Sequence, residues 1–490
     1  MSTSGLTVLP FTAPTVLGLT PDLQETLNKL VKQWAKKQPR NILRQSYADM
    51  HVDVKNLGIA IPDEIAHGIE VVCGWPEKAV SALASRCMWD GVTAASGVED
   101  PFELDQVLHE NRFDVELPQT IMSELIHSVA FISTTPGDTA AGEPPVVILP
   151  HSAEWATALW DRATRSLSAG LLINSVDDYG RPTKLTLLTP FEAIMCTTTG
   201  GGWFVDDVRT HQLGRVPLEA LPYRPSLDRP FGRSRISRAV MTITDRAIRA
   251  ALRMDVSSEL YTAPGLLLRG VTEEVWNDIK ASWTWQYGSV KGLTRDADGD
   301  VPEVTTIPQQ SMSPYVEQLR ELSMEFAAVT SLPVSSLGIV QDNPSSADAI
   351  YAAKEELVVE ATNANRVNGY ALSRVYQNIV MLRDGLTEVS TELAGLSTRW
   401  RNPAMPSIVS QADAMMKQIT AIPDLAYTDV ALEEFGYTKE QITRIRAQAR
   451  RAKGQIAVDQ ALNSEPQVDK TAETVAVAEA PRAGNLMLES

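Results

Sequence analysis

Three cysteines, Cys73, Cys87 and Cys196, are too few in 490 residues for a disulfide framework, and no two stand at metal-ligand spacing. One is left over from any pairing, so reduced thiols in a cytoplasmic setting are expected. Long hydrophobic runs are missing as well, none approaching the ~18 apolar residues that suggest a membrane span. The first twenty residues lack the basic start and continuous apolar block of a secretory signal. Basic residues are in deficit, 44 against 61 acidic, for a net charge of −17. That balance argues against tight DNA binding, which depends on cations neutralising phosphates. It leaves room for handling DNA without holding it, because an acidic wall lets a polyanion slide. Acidity that merely keeps the protein soluble is the other reading of charge alone.

Catalytic signatures are absent too. No G-x-x-x-x-G-K followed by Ser or Thr occurs, and Gly200, Gly201 and Gly202 lack the lysine, so they read as a turn between strands rather than a phosphate cradle. A packaging ATPase is thereby disfavoured. Asp296, Asp298 and Asp300 look like the start of a calcium loop, but its sixth position is Val301 and its twelfth Ile307, which favours a hairpin turn. The six histidines are scattered, with neither H-E-x-x-H nor His–Cys ligand spacing, and G-x-S-x-G does not occur. No catalytic residue, cofactor or metal ligand is expected. The densest tryptophan pair, Trp283 and Trp285, reads as core or subunit interface before base stacking.

What is present is ordered. Helices are expected over 21–47, 63–89, 118–128, 153–167, 233–259, 311–330, 407–419, 431–435 and 438–454, the last with a capping box of Thr438 and Gln441. Between 129 and about 225 the pattern is mainly short β-type runs, VAFIST, AGLLINSV and TKLTLLTP among them. Leu332-Pro333 ends one helix, and Asn343-Pro344 opens the next with an Asn cap and proline at the first helical position. From Ile350 apolar residues recur at steps of three and four as far as Leu382, giving a helix of roughly 38 residues. Beyond about 455 the chain lacks periodicity and aromatics and reads as a flexible acidic tail.

The segment through Pro333, Leu337, Gly338, Asn343, Pro344, Ser345, Ser346, Ala347 and Ala349, leading into that helix, resembles the portal proteins of tailed double-stranded DNA phages of the siphophage type. Segments 73–92, 229–237 with 262–270, and 407–417 match in the same order, so the resemblance covers roughly two-thirds of the chain. It implies an α+β portal fold: an N-terminal arm (1–19), an α then β-rich wing (20–232), stem helices (233–260 and 311–331) and a small β-containing clip (261–310). A tunnel loop (332–344), a long helix with the wing return (345–400), helical crown (401–454) and tail (455–490) complete it. The implied function is a ring of about twelve copies at one capsid vertex, through which the genome is packaged and ejected. The implied partners are the DNA, the terminase large subunit, major capsid and scaffolding proteins, and a head-completion adaptor. Another virion protein of the head–tail connector or minor head class, or a nucleic-acid-processing enzyme with an unrecognised site, are the competing readings.

Within that frame Ser335, Ser336, Gln341, Asp342 and Asn343 would line the channel, with Asp342 foremost in facing DNA. Arg235, Arg238, Arg246, Arg249 and Arg253 fall within about 80° of one helix, and Glu317, Glu321 and Glu325 recur at every fourth position on another. These stripes could pair within a subunit or between neighbours, stand in solvent, or face phosphates. Arg295, Asp296, Asp298 and Asp300 would meet the motor at the clip.

Overall fold

The computed structural model describes residues 7–52, 69–94, 100–262, 266–269, 303–306, 312–338, 354–404, 408–437 and 439–463. The chain divides into two compact units, Met1–Ala404 and Met405–Ser490.

In the first unit a short strand β1 (Val16–Leu17) precedes helix α1 (Pro21–Ala48), which Thr20 caps by accepting from the Leu23 amide, with Pro21 in the first turn. Then come α2 (Trp75–Ala84), β2 (Trp89–Ala94), α3 (Leu104–Glu110) and α4 (Phe113–His127). The β-rich stretch follows as β3 (Val129–Pro136), β4 (Val146–Ser152), β5 (Ala156–Asp161), β6 (Ser166–Val176), β7 (Pro182–Leu188), β8 (Glu192–Thr199), β9 (Gly202–Thr210) and β10 (Leu218–Pro222). After it stand α5 (Arg238–Thr262), β11 (Leu266–Arg269), β12 (Glu303–Thr306), α6 (Ser313–Thr330), α7 (Glu355–Asp384) and β13 (Leu396–Trp400). The second unit holds α8 (Ile408–Ala421), α9 (Asp429–Glu434) and α10 (Lys439–Asn463).

Strands β5 to β9 form an antiparallel meander, and β1 adds to β9 in parallel, with Val16 opposite Trp203. A second sheet runs β10-β3-β4, while β11 pairs with β12 and β13 with β2. Successive strand residues point to opposite faces, so the six-stranded sheet feeds two cores. Leu171 and Leu187 pack with Leu27, Leu30 and Trp34 of α1, while Leu172 and Leu188 pack with Phe131 and Leu218 of the second sheet. The third and largest core gathers around α7, whose Leu372, Val375, Tyr376 and Ile379 are fully buried among α2, α4, α5 and α6.

Several sequence expectations shift. Residues 153–167, read as a helix, form the β5–β6 hairpin, with Arg165 at φ 52° in its turn. Gln33 and Asn41 of α1 donate to the carbonyls of Ala158 and Ala153 at 2.7 and 3.1 Å, and burial against two cores overrides the helix-favouring composition. The helix expected over 63–89 is confined, where described, to α2; Trp75-Pro76 starts it, and Trp89 opens a strand. The helix expected from 233 begins at Arg238, because residues 233–237 run as a folded connection. Helix α10 continues through Gly454 to Asn463, past the point where a flexible tail was expected to begin. The long helix is described from Glu355, and its expected opening at 343–353 lies outside the described residues.

Candidate functional site: the base of the loop between α6 and α7

Helices α5 and α6 pack side by side through Ile243, Ala247 and Ala250 on one and Leu322 and Phe326 on the other, all buried. Helix α6 ends at Thr330. Ser331 turns left-handed at φ 53° and donates to the Ala327 carbonyl, then Pro333 leads into a single turn, Val334–Leu337. Gly338, at φ 85°, closes that turn. Helix α7 is described from Glu355.

One buried guanidinium ties the end of α6 to α7. Arg235 is 6% exposed and donates to the carbonyls of Thr330 and Ala79, at 2.7 and 2.6 Å. The Thr330 carbonyl is one of those a helix leaves unpaired at its C-terminus, where a cation is also favoured by the macrodipole. Arg235 Nη1 meets Glu360 of α7 at 2.7 Å and the Tyr223 hydroxyl at 3.0 Å. Tyr223 donates to the same carboxylate, and the exposed Arg224 reaches it from outside at 2.8 Å. Burial works against a charged Arg235, but Tyr223 and Glu360 outweigh it and raise its pKa; Tyr223 is raised by burial and by Glu360. The node is therefore an ion pair on which the end of α6, the start of α7, α2 and β10's end converge.

Two further buried carboxyls hold α7 in place. Glu124 of α4 accepts from Asn368 at 2.7 Å, and burial pushes its pKa up to about 8 despite that bond. Glu219 of β10 pairs with Arg374 at 2.9 Å, with burial raising its pKa to about 7 against the pull of Arg374 and Arg215.

A family model described as "Phage portal protein, SPP1 Gp6-like" matches residues 42–455. The chain belongs to the phage portal protein family. Curated relatives named "Portal protein" agree. One from Mycobacterium phage L5 is 26% identical over 380 residues, covering 76% of this chain and 77% of the relative. Another, from Mycobacterium phage D29, is 25% identical over 402 residues, covering 80% and 81%. Among solved structures, a chain in the neck of an empty GTA particle, computed with C6 symmetry, matches at TM-score 0.43 and 14% identity over 71% of this chain and 86% of that one. The neck of a native GTA particle with C12 symmetry matches at TM-score 0.40 and 13% identity, over 70% and 84%.

In this portal-family chain the anticipated charge stripes divide. Arg246 of α5 meets Glu325 of α6 at 2.7 Å, both about half exposed. Arg238, Arg249, Arg253, Glu317 and Glu321 make no ion pair among the described residues, and Arg235 leaves the stripe altogether for the buried node. Ser335 and Ser336 lie exposed in the turn after Pro333. Gln341, Asp342 and Asn343, and the turn at Arg295, Asp296, Asp298 and Asp300, lie outside the described residues. Among the described residues no group of three His, Cys, Asp or Glu side chains could hold a metal, and no helix is long and apolar enough to cross a membrane. The sequence reading missed Glu360 and Tyr223. A signal for Glu360 existed: it stands on the apolar face of α7 between Leu357 and Ala361, where an unpaired carboxylate would be costly.

Proposed function

We propose that the chain closes into a ring of about twelve copies at one capsid vertex, with α5 and α6 as its stem and the connection between α6 and α7 projecting into the channel. The observation that carries this reading is the family match, which runs unbroken through the helix pair, the connection and α7. The Arg235 node supports it, because a loop that meets a sliding duplex needs a base that does not give. Ser335, Ser336, Gln341, Asp342 and Asn343 then offer hydrogen bonds and one negative charge, suited to loose contact. In such a ring Glu317 and Glu321 of one copy would pair with Arg249 and Arg253 of the next. The portal does no covalent chemistry. It serves as nucleator of assembly, genome conduit and docking site for the terminase and head-completion proteins, with Asp296, Asp298 and Asp300 at the motor contact.

Negative-stain imaging and native mass spectrometry of the recombinant protein test the ring. A closed ring of about twelve subunits with an axial hole is expected. Failure to form rings even with scaffolding protein present would overturn the reading.

A further inference from the structure

A wide cleft lies elsewhere, between α1 and the loop joining β10 to α5, over the face of β5. Its volume is about 1140 Å³. Eleven of the chain's 44 basic residues line it against one acidic residue, Asp228, in a protein whose net charge is −17. Lys32, Lys36, Arg40 and Arg44 recur at every fourth position of α1 and form a row of roughly 18 Å along one wall. Arg229, Arg233 and Arg238 stand on the facing wall. Of the eleven, only Lys29 and Arg224 have acidic partners among the described residues. Burial lowers the pKa of Lys37, and Arg40, Arg44, Lys36 and Arg229 lower it further: the field is strongly positive and internally repulsive. The loop carrying the second wall is held by fit as well as by charge. Gly232 sits at φ 71°, where a Cβ would come within 2.1 Å of the Tyr223 carbonyl oxygen.

The floor has a different chemistry. Leu159, Trp160, Pro230 and Phe231 are partly exposed there, with Phe231 against Phe131 and Trp160 at ring-centroid distances of 6.1 and 6.3 Å. An apolar floor inside a charged rim is the anatomy of a polypeptide-binding site. A duplex would rest its phosphates on the rim and leave the aromatic floor empty. The described acidic pairs of this chain, such as Asp206–Asp207 on β9 and Glu355–Glu356 on α7, are already built into its own strands, turns and helices.

We propose that this cleft binds an extended acidic peptide segment of another protein, with its carboxylates between the two basic walls and a large apolar side chain on the Trp160–Phe231 floor.

The test uses the full-length protein and a short fluorescent peptide in which glutamates alternate with leucines. Anisotropy should show saturable binding, weakened about tenfold or more by Lys36→Glu with Arg40→Glu. Both residues are exposed, so the variant should keep the wild-type unfolding midpoint. A matched glutamate–serine peptide should bind distinctly more weakly, and the leucine peptide should protect Lys32, Lys36 and Lys37 from acetylation read by mass spectrometry. Equal binding of the two peptides, or no protection, would overturn the proposal. So would a duplex oligonucleotide that binds more tightly and is lost with the same variant, which would make this a nucleic-acid site. Binding to separated subunits but not to rings would assign the cleft to a neighbouring copy instead.

Discussion

Removing the Arg235 guanidinium would strip Glu360 of its innermost partner, unpair the helix-terminal Thr330 carbonyl and remove a bond to the Ala79 carbonyl in one step. Breaking a buried pair from one side costs about 3–5 kcal/mol, because the remaining charge stays desolvated. Arg224 still reaches Glu360 from the surface, so Arg235→Met should cost about 3 kcal/mol, read as a lower urea midpoint. Adding Glu360→Met should recover most of that loss, since apolar replacement of a whole buried pair is often neutral. A double variant no more stable than the single one would show that the carbonyl bonds, not the stranded carboxylate, carry the cost. Glu124 makes a separate prediction in pH. Its folded pKa of about 8 lies above the ordinary value of 4.5, so the native state holds the proton more tightly. Its contribution is complete below pH 4.5 and is lost as pH rises toward and through 8. Glu124→Gln keeps an acceptor for Asn368 and should flatten this part of the profile, leaving stability near pH 5 little changed and raising it near pH 8. Melting temperature across pH 5 to 8 checks it, and a wild-type profile no steeper than the variant's would refute the assignment.

Helices α5 and α6 show two kinds of contact that differ greatly in weight. Arg246 and Glu325 are about half exposed, and such pairs are worth ~0–1 kcal/mol. Phe326 is fully buried against the Trp75 ring, with centroids 5.4 Å apart. Phe326→Ala should cost about 3–5 kcal/mol, whereas a double-mutant cycle on Arg246 and Glu325 should return a coupling below about 1 kcal/mol. A coupling as large as the Phe326 loss would mean that charge rather than packing holds the pair together. The legibility of these elements followed the same divide. Helix α1, with its Thr20 cap and Pro21, and α6, stopped before Pro333, could be read because the signals are local. The β5–β6 hairpin could not: residues 153–167 have the alanines and charges of a helix, and only their partners across the sheet and on α1 decide otherwise. The junction was half legible. Pro333 and Gly338 mark the end of α6 and the turn after it, but Arg235 looked like one more arginine of a stripe, because its destination on α6 and α7 is set by contacts 95 and 125 residues away in sequence.

Across the whole molecule, charge is distributed unevenly. A surplus of acid accompanies one basic cleft, and twelve copies in a ring would bring together roughly −200 charges before screening. Assembly must then overcome a repulsion that salt weakens, since the Debye length falls from about 30 Å at 0.01 M to about 10 Å at 0.1 M. Specific pairs between neighbours, such as Glu317 and Glu321 against Arg249 and Arg253, would be weakened by the same salt. The two effects have opposite signs in an assembly assay. If general repulsion dominates, the ring fraction at fixed protein concentration rises with sodium chloride from 0.01 to 0.15 M. The net charge makes that the expected result, because a few exposed pairs at ~0–1 kcal/mol each cannot offset the repulsion between whole subunits. Sedimentation velocity measures it directly. Rings that fall apart over that range would instead place the cohesion in the complementary stripes, and Glu317→Lys with Glu321→Lys should then abolish assembly while leaving the subunit folded.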